Sequence, residues 1–348
     1  MNMLKSLKVQ GGFKVRVAAF GEVLLRLATN KGLRISNSRE LNINYGGAET
    51  NVLVGLGNFG IETRLISKIS DDGFGDAIIS YLKSNSVDTS FINQGEGRTP
   101  IYYLEVGSGN RNSKVIYDRK NSIFSDINEE DIDIVEALKG VDILHLTGIT
   151  MAISEKTRAL AYKILNYCRD NNILVSYDSN YRARMWSLEE ASKVTNEILP
   201  YVNIYSAGIL DAENILGLNN NKEDKAEKLK DYYDEIIKTY PNIKYIFSSF
   251  RGIKSASSNT LQCNFYTNNE LHQSKIYDID DIVDRVGGGD ALTTGILYGI
   301  LSNKDPMYIS EFAAANSVLK HSIYGDGNLV KVDEVESLMK DGVGKIGR

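Results

Sequence analysis

Asp284-Arg285-Val286-Gly287-Gly288-Gly289-Asp290 runs directly into Ala291-Leu292-Thr293-Thr294-Gly295-Ile296-Leu297. Three glycines leave backbone N–H groups bare ahead of an apolar stretch that suits a helix. A helix start adds free donors and partial positive charge, so the run reads as an anion site with a carboxylate at its edge. Moving a phosphoryl group to a hydroxyl needs both features: donors for the developing charge and a base for the alcohol proton. The same letters also describe a glycine turn with Asp290 as an ordinary helix cap.

Upstream, short apolar runs at Val15–Phe20, Arg64–Ile69, Asp142–Leu146, Ile173–Tyr177, Val202–Tyr205 and Tyr245–Ser249 read as strands. Between them, Ala48–Phe59, Phe74–Ser84, Glu155–Arg169, Leu188–Leu199 and Lys222–Lys238 suit helices, as do Ala291–Leu301 and Pro306–His321 further on. This alternation predicts an α/β fold, a doubly wound and mostly parallel sheet flanked by helices. Ile101–Val106 and Lys114–Tyr117 flank a Gly-Ser-Gly-Asn turn and read as a hairpin, as do Leu261–Tyr266 and Leu271–Ile276. Extended stretches near Arg34–Asn44, with the first hairpin, predict a small separate sheet over the strand ends, where ligands bind. The whole of 1–348 reads as one domain, with a β lid drawn from segments of about 22–46 and 98–122.

The 348 residues are 42% hydrophobic and 24% charged, with net charge −5, which suits a soluble protein and argues against nucleic acid as a partner. No apolar run reaches membrane-spanning length and the N-terminus carries no long apolar core, so a cytoplasmic protein with no membrane partner is expected. Cys168 and Cys263 form neither a metal-ligand spacing nor a disulfide framework, and three histidines are too few for a His-rich metal site.

A second glycine site stands in Asn44-Tyr45-Gly46-Gly47-Ala48-Glu49-Thr50-Asn51. Its glycines allow close approach of a ligand, and Glu49 and Asn51 bring polar groups to a first helical turn; the plain alternative is Glu49 answering the helix dipole. Together with Ser70-Asp71-Asp72-Gly73-Phe74-Gly75 and the Asp284–Asp290 run, this segment resembles the ordered motifs of the ribokinase-like (PfkB) carbohydrate kinases. The resemblance covers nearly the whole chain. It implies ATP-dependent phosphorylation of a sugar-like hydroxyl with Mg²⁺, Asp290 as base, and the backbone of Gly287, Gly288 and Gly289 as the anion hole.

Gly21–Leu27, Leu146–Thr150, Asp178–Trp186 and the tail Lys320–Asn328 further resemble the branch acting on 2-keto-3-deoxygluconate. A sugar acid calls for a forked cation, which Arg supplies and Lys does not. By resemblance, Gly46, Gly47, Asn51, Tyr102 or Tyr103, Tyr117, Arg119, Ile149 and Arg182 would contact the substrate. For Arg182 the alternative is an ion pair with Asp178; Arg26 and Arg184 read as structural. Ser249, Arg251 and Gly252, with Gly287 and Gly289, would face ATP, and Ala291, Asn316, Leu319 and Lys320 the adenine; for Asn316 the alternative is a helix-surface amide.

One segment departs from the family pattern. Where it usually has Asn-x-x-Glu near the magnesium–phosphate region, this chain has Gly208 and Asp211. Asp211 keeps a carboxylate as the metal candidate, while Gly208 loses the amide, for which a water or Asn214 could substitute. The expected activity is phosphorylation of 2-keto-3-deoxygluconate at its terminal hydroxyl, giving 2-keto-3-deoxy-6-phosphogluconate. The alternatives are a fructokinase- or ribokinase-like kinase of a neutral sugar, or a silent sensor of sugar acid or nucleotide. Sheet edges in the lid would let two copies pair as a homodimer, which the sequence leaves open.

Overall fold

The structure is a computed structural model and describes residues 16–341. Val15, which opens the first expected strand, lies outside the described residues. The strands are β1 Arg16–Phe20, β2 Leu24–Ala28, β3 Asn42–Gly46, β4 Glu62–Ser70, β5 Val87–Gly95, β6 Ile101–Glu105 and β7 Lys114–Asp118. They continue as β8 Ile143–Thr147, β9 Leu174–Asp178, β10 Ile204–Ser206, β11 Tyr245–Ile253, β12 Asn259–Thr267, β13 Glu270–Gln273 and β14 Tyr277–Ile279. Ten of these form one sheet in the order β13-β12-β11-β10-β9-β8-β1-β4-β5, with β14 also on β12. From β5 to β11 every pairing is parallel; β12 turns antiparallel.

Period-two alternation sends successive residues to opposite faces. Val17 and Ala19 of β1 enter the core formed with helices Ala48–Asn58, Gly288–Leu301 and Pro306–Lys320. Ala18 and Phe20 enter the core on the other face, under helices Glu155–Asp170, Leu188–Ile198 and Lys225–Thr239. The sheet is therefore doubly wound and mostly parallel. The strand order reverses between β1 and β8, so their carboxyl ends flank a switch-point crevice.

The remaining four strands form a second sheet, β3-β2-β6-β7, which is the lid. Its register defines two faces. Asn44, Arg26, Tyr102 and Tyr117 are consecutive register partners and share one face; Ile43, Leu27, Tyr103 and Ile116 share the other. The stretch before β3 is not wholly extended, because Ile35–Asn37 forms one 3₁₀ turn. Some boundaries shift: the charged helix starts at Lys225 rather than Lys222, and β13 stops at Gln273. The edge strand β5 was not anticipated, because its Asp, Thr, Ser, Asn and Gln residues dilute the apolar signal of a buried strand.

Candidate active site

The expected helix Ala291–Leu301 starts three residues earlier, at Gly288, so Gly288 and Gly289 belong to its first turn. Gly287 caps it with φ +81°, in the left-handed region, and a Cβ there would lie 2.0 Å from the Asp326 carbonyl. Gly289 is different: a Cβ would meet nothing nearer than Arg251 Nη2 at 3.8 Å. Packing inside the protein does not require that glycine, so its bare backbone is available to a ligand. Asp290 lies in the first turn rather than at the cap, which excludes the plain capping alternative.

Asp290 accepts a hydrogen bond from Asn51 Nδ2 at 2.7 Å through Oδ2, leaving Oδ1 with no donor among the described residues. Burial, opposed by the Asn51 hydrogen bond and Arg182, pushes its carboxyl up to about 6. Asn51 belongs to helix Ala48–Asn58, whose start is tied to β8 by buried Glu49. Glu49 Oε1 accepts from Thr147 N at 3.0 Å and from the Thr147 and Thr150 hydroxyls at 2.7 Å each. It answers the end of a neighbouring strand more than its own helix dipole. Gly47 is required by packing, since a Cβ would lie 2.2 Å from the Glu22 carbonyl.

A cavity of about 480 Å³ opens over the switch point between the sheet ends and the lid. The structure brings Gly47, Asn51, Tyr102, Tyr117, Arg119, Ile149, Arg182 and Asp290 together around it, and Glu22, Asp178 and Asn180, to which the sequence assigned no contact, line it as well. A second cavity, about 730 Å³, lies beyond the turn and is lined by Ser249, Arg251, Asp211 and Gly208. Asp178, Arg182, Arg251 and Gly289 line both, so the two cavities meet beside the glycine turn.

Five expected contacts lie elsewhere. Tyr103 is on the lid face opposite Tyr102 and does not line the cavity. Gly46 is filled from behind, because a Cβ would lie 2.3 Å from Asp326 Oδ2. Gly252 lines neither cavity, and its N–H donates to the Thr260 hydroxyl oxygen at 3.1 Å. Asn316 is completely buried, donating to Ala291 O and accepting from Asn328, each at 2.7 Å. Its amide is neither a helix-surface group nor open to a ligand. Lys320 is likewise fully buried and donates to Ile323 O at 3.1 Å.

The arginines separate by partner. Arg119 Nη2 lies 2.6 Å from buried Glu22 Oε2, so the protein already supplies its carboxylate. Arg182 has no ion pair within 4.0 Å among the described residues; its Nη1 donates only to the carbonyls of Asn180 and Tyr181. The ion pair with Asp178 does not form. Asp178 stays crowded: burial first, then the charges of Asp211 and Asp290, push it up to about 7. Asp211 is raised by burial, and its Oδ2 accepts from Gly208 N at 2.8 Å. A Cβ at Gly208 would meet nothing closer than 3.7 Å, so packing does not require a glycine there. Exposed Asn214 lines neither cavity and does not replace it. Among the described residues no cluster of three or more His, Cys, Asp or Glu side chains forms a metal cage.

A glycine turn between two cavities, with a raised carboxylate at its edge, suits transfer of an anionic group from one bound molecule to another. Residues 14–330 match the family described as pfkB family carbohydrate kinase. The PfkB family carbohydrate kinase of Listeria grayi is 37% identical, with TM-score 0.90 over 94% of this chain and 100% of its own. A 2-dehydro-3-deoxygluconokinase from Thermotoga maritima is 35% identical, with TM-score 0.90 over 93% of this chain and 99% of its own. A 2-dehydro-3-deoxygalactonokinase of Haloferax volcanii is 25% identical over 95% of this chain and 99% of its own. A match of that span, on the same fold and around such a site, makes this chain a member of the pfkB family of carbohydrate kinases.

Proposed function

We propose that the protein transfers the γ-phosphoryl group of ATP to the terminal hydroxyl of a 2-keto-3-deoxy sugar acid, with 2-keto-3-deoxygluconate as the leading acceptor. The observation that carries the acid is Arg182: its guanidinium lines the sugar cavity and, although its charge reaches Asp178, Asp211 and Asp290, no carboxylate among the described residues lies within 4.0 Å of it. A planar fork pairs a carboxylate bidentately, and an anionic substrate would supply the direct partner that Arg182 lacks. The names of the Thermotoga and Haloferax relatives support the same acceptor class.

In this reading Asp290 accepts the proton of the attacking hydroxyl through its free oxygen. The hydroxyl oxygen bonds to the γ-phosphorus as the bond to the ADP leaving oxygen breaks. N–H groups of the Gly287–Asp290 turn hold the transferring charge, and Arg251, which has no side-chain partner among the described residues, faces it from the nucleotide cavity. Asp178 feels the charge of Asp211, with Arg182 opposing but no cation within 4.0 Å of either carboxylate among the described residues, a condition that fits a divalent cation near the polyphosphate. Mg²⁺ bound there would neutralise phosphate charge.

A neutral sugar is the second reading, favoured by the Glu22–Arg119 pair, which removes one of the two expected free cations from the cavity. A panel of 2-keto-3-deoxygluconate, 2-keto-3-deoxygalactonate, fructose and ribose with ATP and magnesium, read as kcat/KM, tests both. Arg182→Ala should cut kcat/KM for the acids by about ten- to a hundredfold, consistent with loss of a charge-assisted hydrogen bond, and spare neutral sugars. Equal loss on all four would remove the carboxylate role.

A further inference from the structure

Asp326 is buried in Gly325-Asp326-Gly327 and touches several parts of the fold at once. Its Oδ1 accepts from Arg26 Nη1 at 2.8 Å, and its Oδ2 accepts from the Tyr102 hydroxyl at 2.5 Å. Arg26 and Tyr102 are register partners on the cavity face of the lid. Gly46, at the end of β3, has no side chain where Asp326 Oδ2 enters, since a Cβ would sit 2.3 Å from it. The Asp326 carbonyl in turn fills the space over Gly287, the cap of the anion turn.

The same cluster reaches the start of that turn. Arg26 Nη2 lies 2.7 Å from Asp284 Oδ2. Asp284 accepts from Val286 N at 3.1 Å and Gly325 N at 3.0 Å, binding the two glycine segments together. Lys320 is buried alongside, its Cε 3.2 Å from the Cβ position of Gly287. Arg26 and Lys320 balance Asp284 and Asp326, so the cluster carries no net charge. Buried ion pairs contribute little net stability, yet removing one partner leaves an uncompensated charge. Their value here is geometric.

We propose that Asp326 is a positioning residue for phosphoryl transfer: one carboxylate holds Tyr102 in the sugar cavity and seats the lid against the Gly287–Asp290 turn. Acceptor and anion donors then share a single frame, and a misplacement of about 1 Å costs on the order of a hundredfold in rate. The inference rests on membership of the carbohydrate kinases and not on which acceptor is used.

The test is steady-state kinetics of Asp326→Asn, Tyr102→Phe and the double variant, with thermal melting of each. The acceptor is 2-keto-3-deoxygluconate, or fructose or ribose if one of those is turned over instead; that outcome would overturn the acceptor reading and leave this test intact. Asp326→Asn should lower kcat by about tenfold or more and raise the sugar KM, with the ATP KM within about twofold. The double variant should raise the sugar KM no further than Asp326→Asn does, because both changes cut the same tether. A variant that merely melts earlier, with kcat and both KM values unchanged, would overturn the proposal, as would sugar-KM effects that multiply in the double variant. If Asp326→Asn does not fold, Tyr102→Phe decides alone: it leaves every ion pair intact, and an unchanged sugar KM sinks the idea.

Discussion

Asp290 differs from the nearby carboxylates Asp178 and Asp211 in its place, the first turn of the helix capped by Gly287, and in its partner, since the Asn51 amide rather than a backbone N–H takes its committed oxygen. Asn51 fixes the committed oxygen and so aims the other. As a proposed base it should act in the transition state more than in binding. Asp290→Asn keeps the shape and the Asn51 contact, and should lower kcat by about a hundredfold or more with little change in either KM. Retention of most turnover would refute the role. The pH dependence has a definite sign. The base works ionised, and burial raises its carboxyl to about 6. Hence kcat/KM should fall about tenfold per pH unit below 6 and level off above it. A plateau persisting to pH 4 would point to another group. The glycine turn was legible from local sequence, because a bare turn before a helix is a local pattern, but the same letters fitted a helix cap, and it took the other ordered motifs to favour Asp290 as a base. Glu22 was not legible: its role depends on Arg119, which the fold alone brings to it.

At the scale of the element, two neighbouring glycines serve different ends. Gly287 is held by its own backbone, with φ +81° and a carbonyl where a side chain would go. Gly287→Ala should therefore lower the melting temperature, since a non-glycine residue in that region alone costs about 1–2 kcal/mol. Gly289→Ala meets no protein atom within 3.4 Å and should melt like the parent, yet place a methyl group among the anion donors and reduce kcat. Equal melting losses in both would refute the distinction. The lid shows what a strand pattern leaves unsaid. Tyr102 and Tyr103 are indistinguishable as letters, and only pairing with Arg26 and Leu27 assigns one to the cavity and the other to the outer face.

For the whole molecule, the outer lid row has a consequence. Ile43 and Ile116 are 54% and 53% exposed on the same face as Leu27 and Tyr103, an apolar row on the side away from the sugar cavity. We propose that a second copy covers it, as the homodimer considered from the sequence would. Sedimentation velocity should show a dimer that Ile116→Asp dissociates, and a monomeric parent at the same concentration would refute it.

The sequence by itself determined the layers and the glycine turn, because strand alternation, helix starts and bare glycines are written in contiguous residues. Tertiary structure decided which polar groups remain free. Arg119 is paired with Glu22 while Arg182 is not, Asn316 is consumed by Asn328, and Gly46 makes room for Asp326 rather than for a substrate. Arg26 and Asp326 stand 300 positions apart, and Tyr102 and Asp326 stand 224 apart. A buried polar group must find a partner, but nothing local names that partner. Only folding brings candidates within hydrogen-bond distance, and what is left unpaired is what a ligand can use.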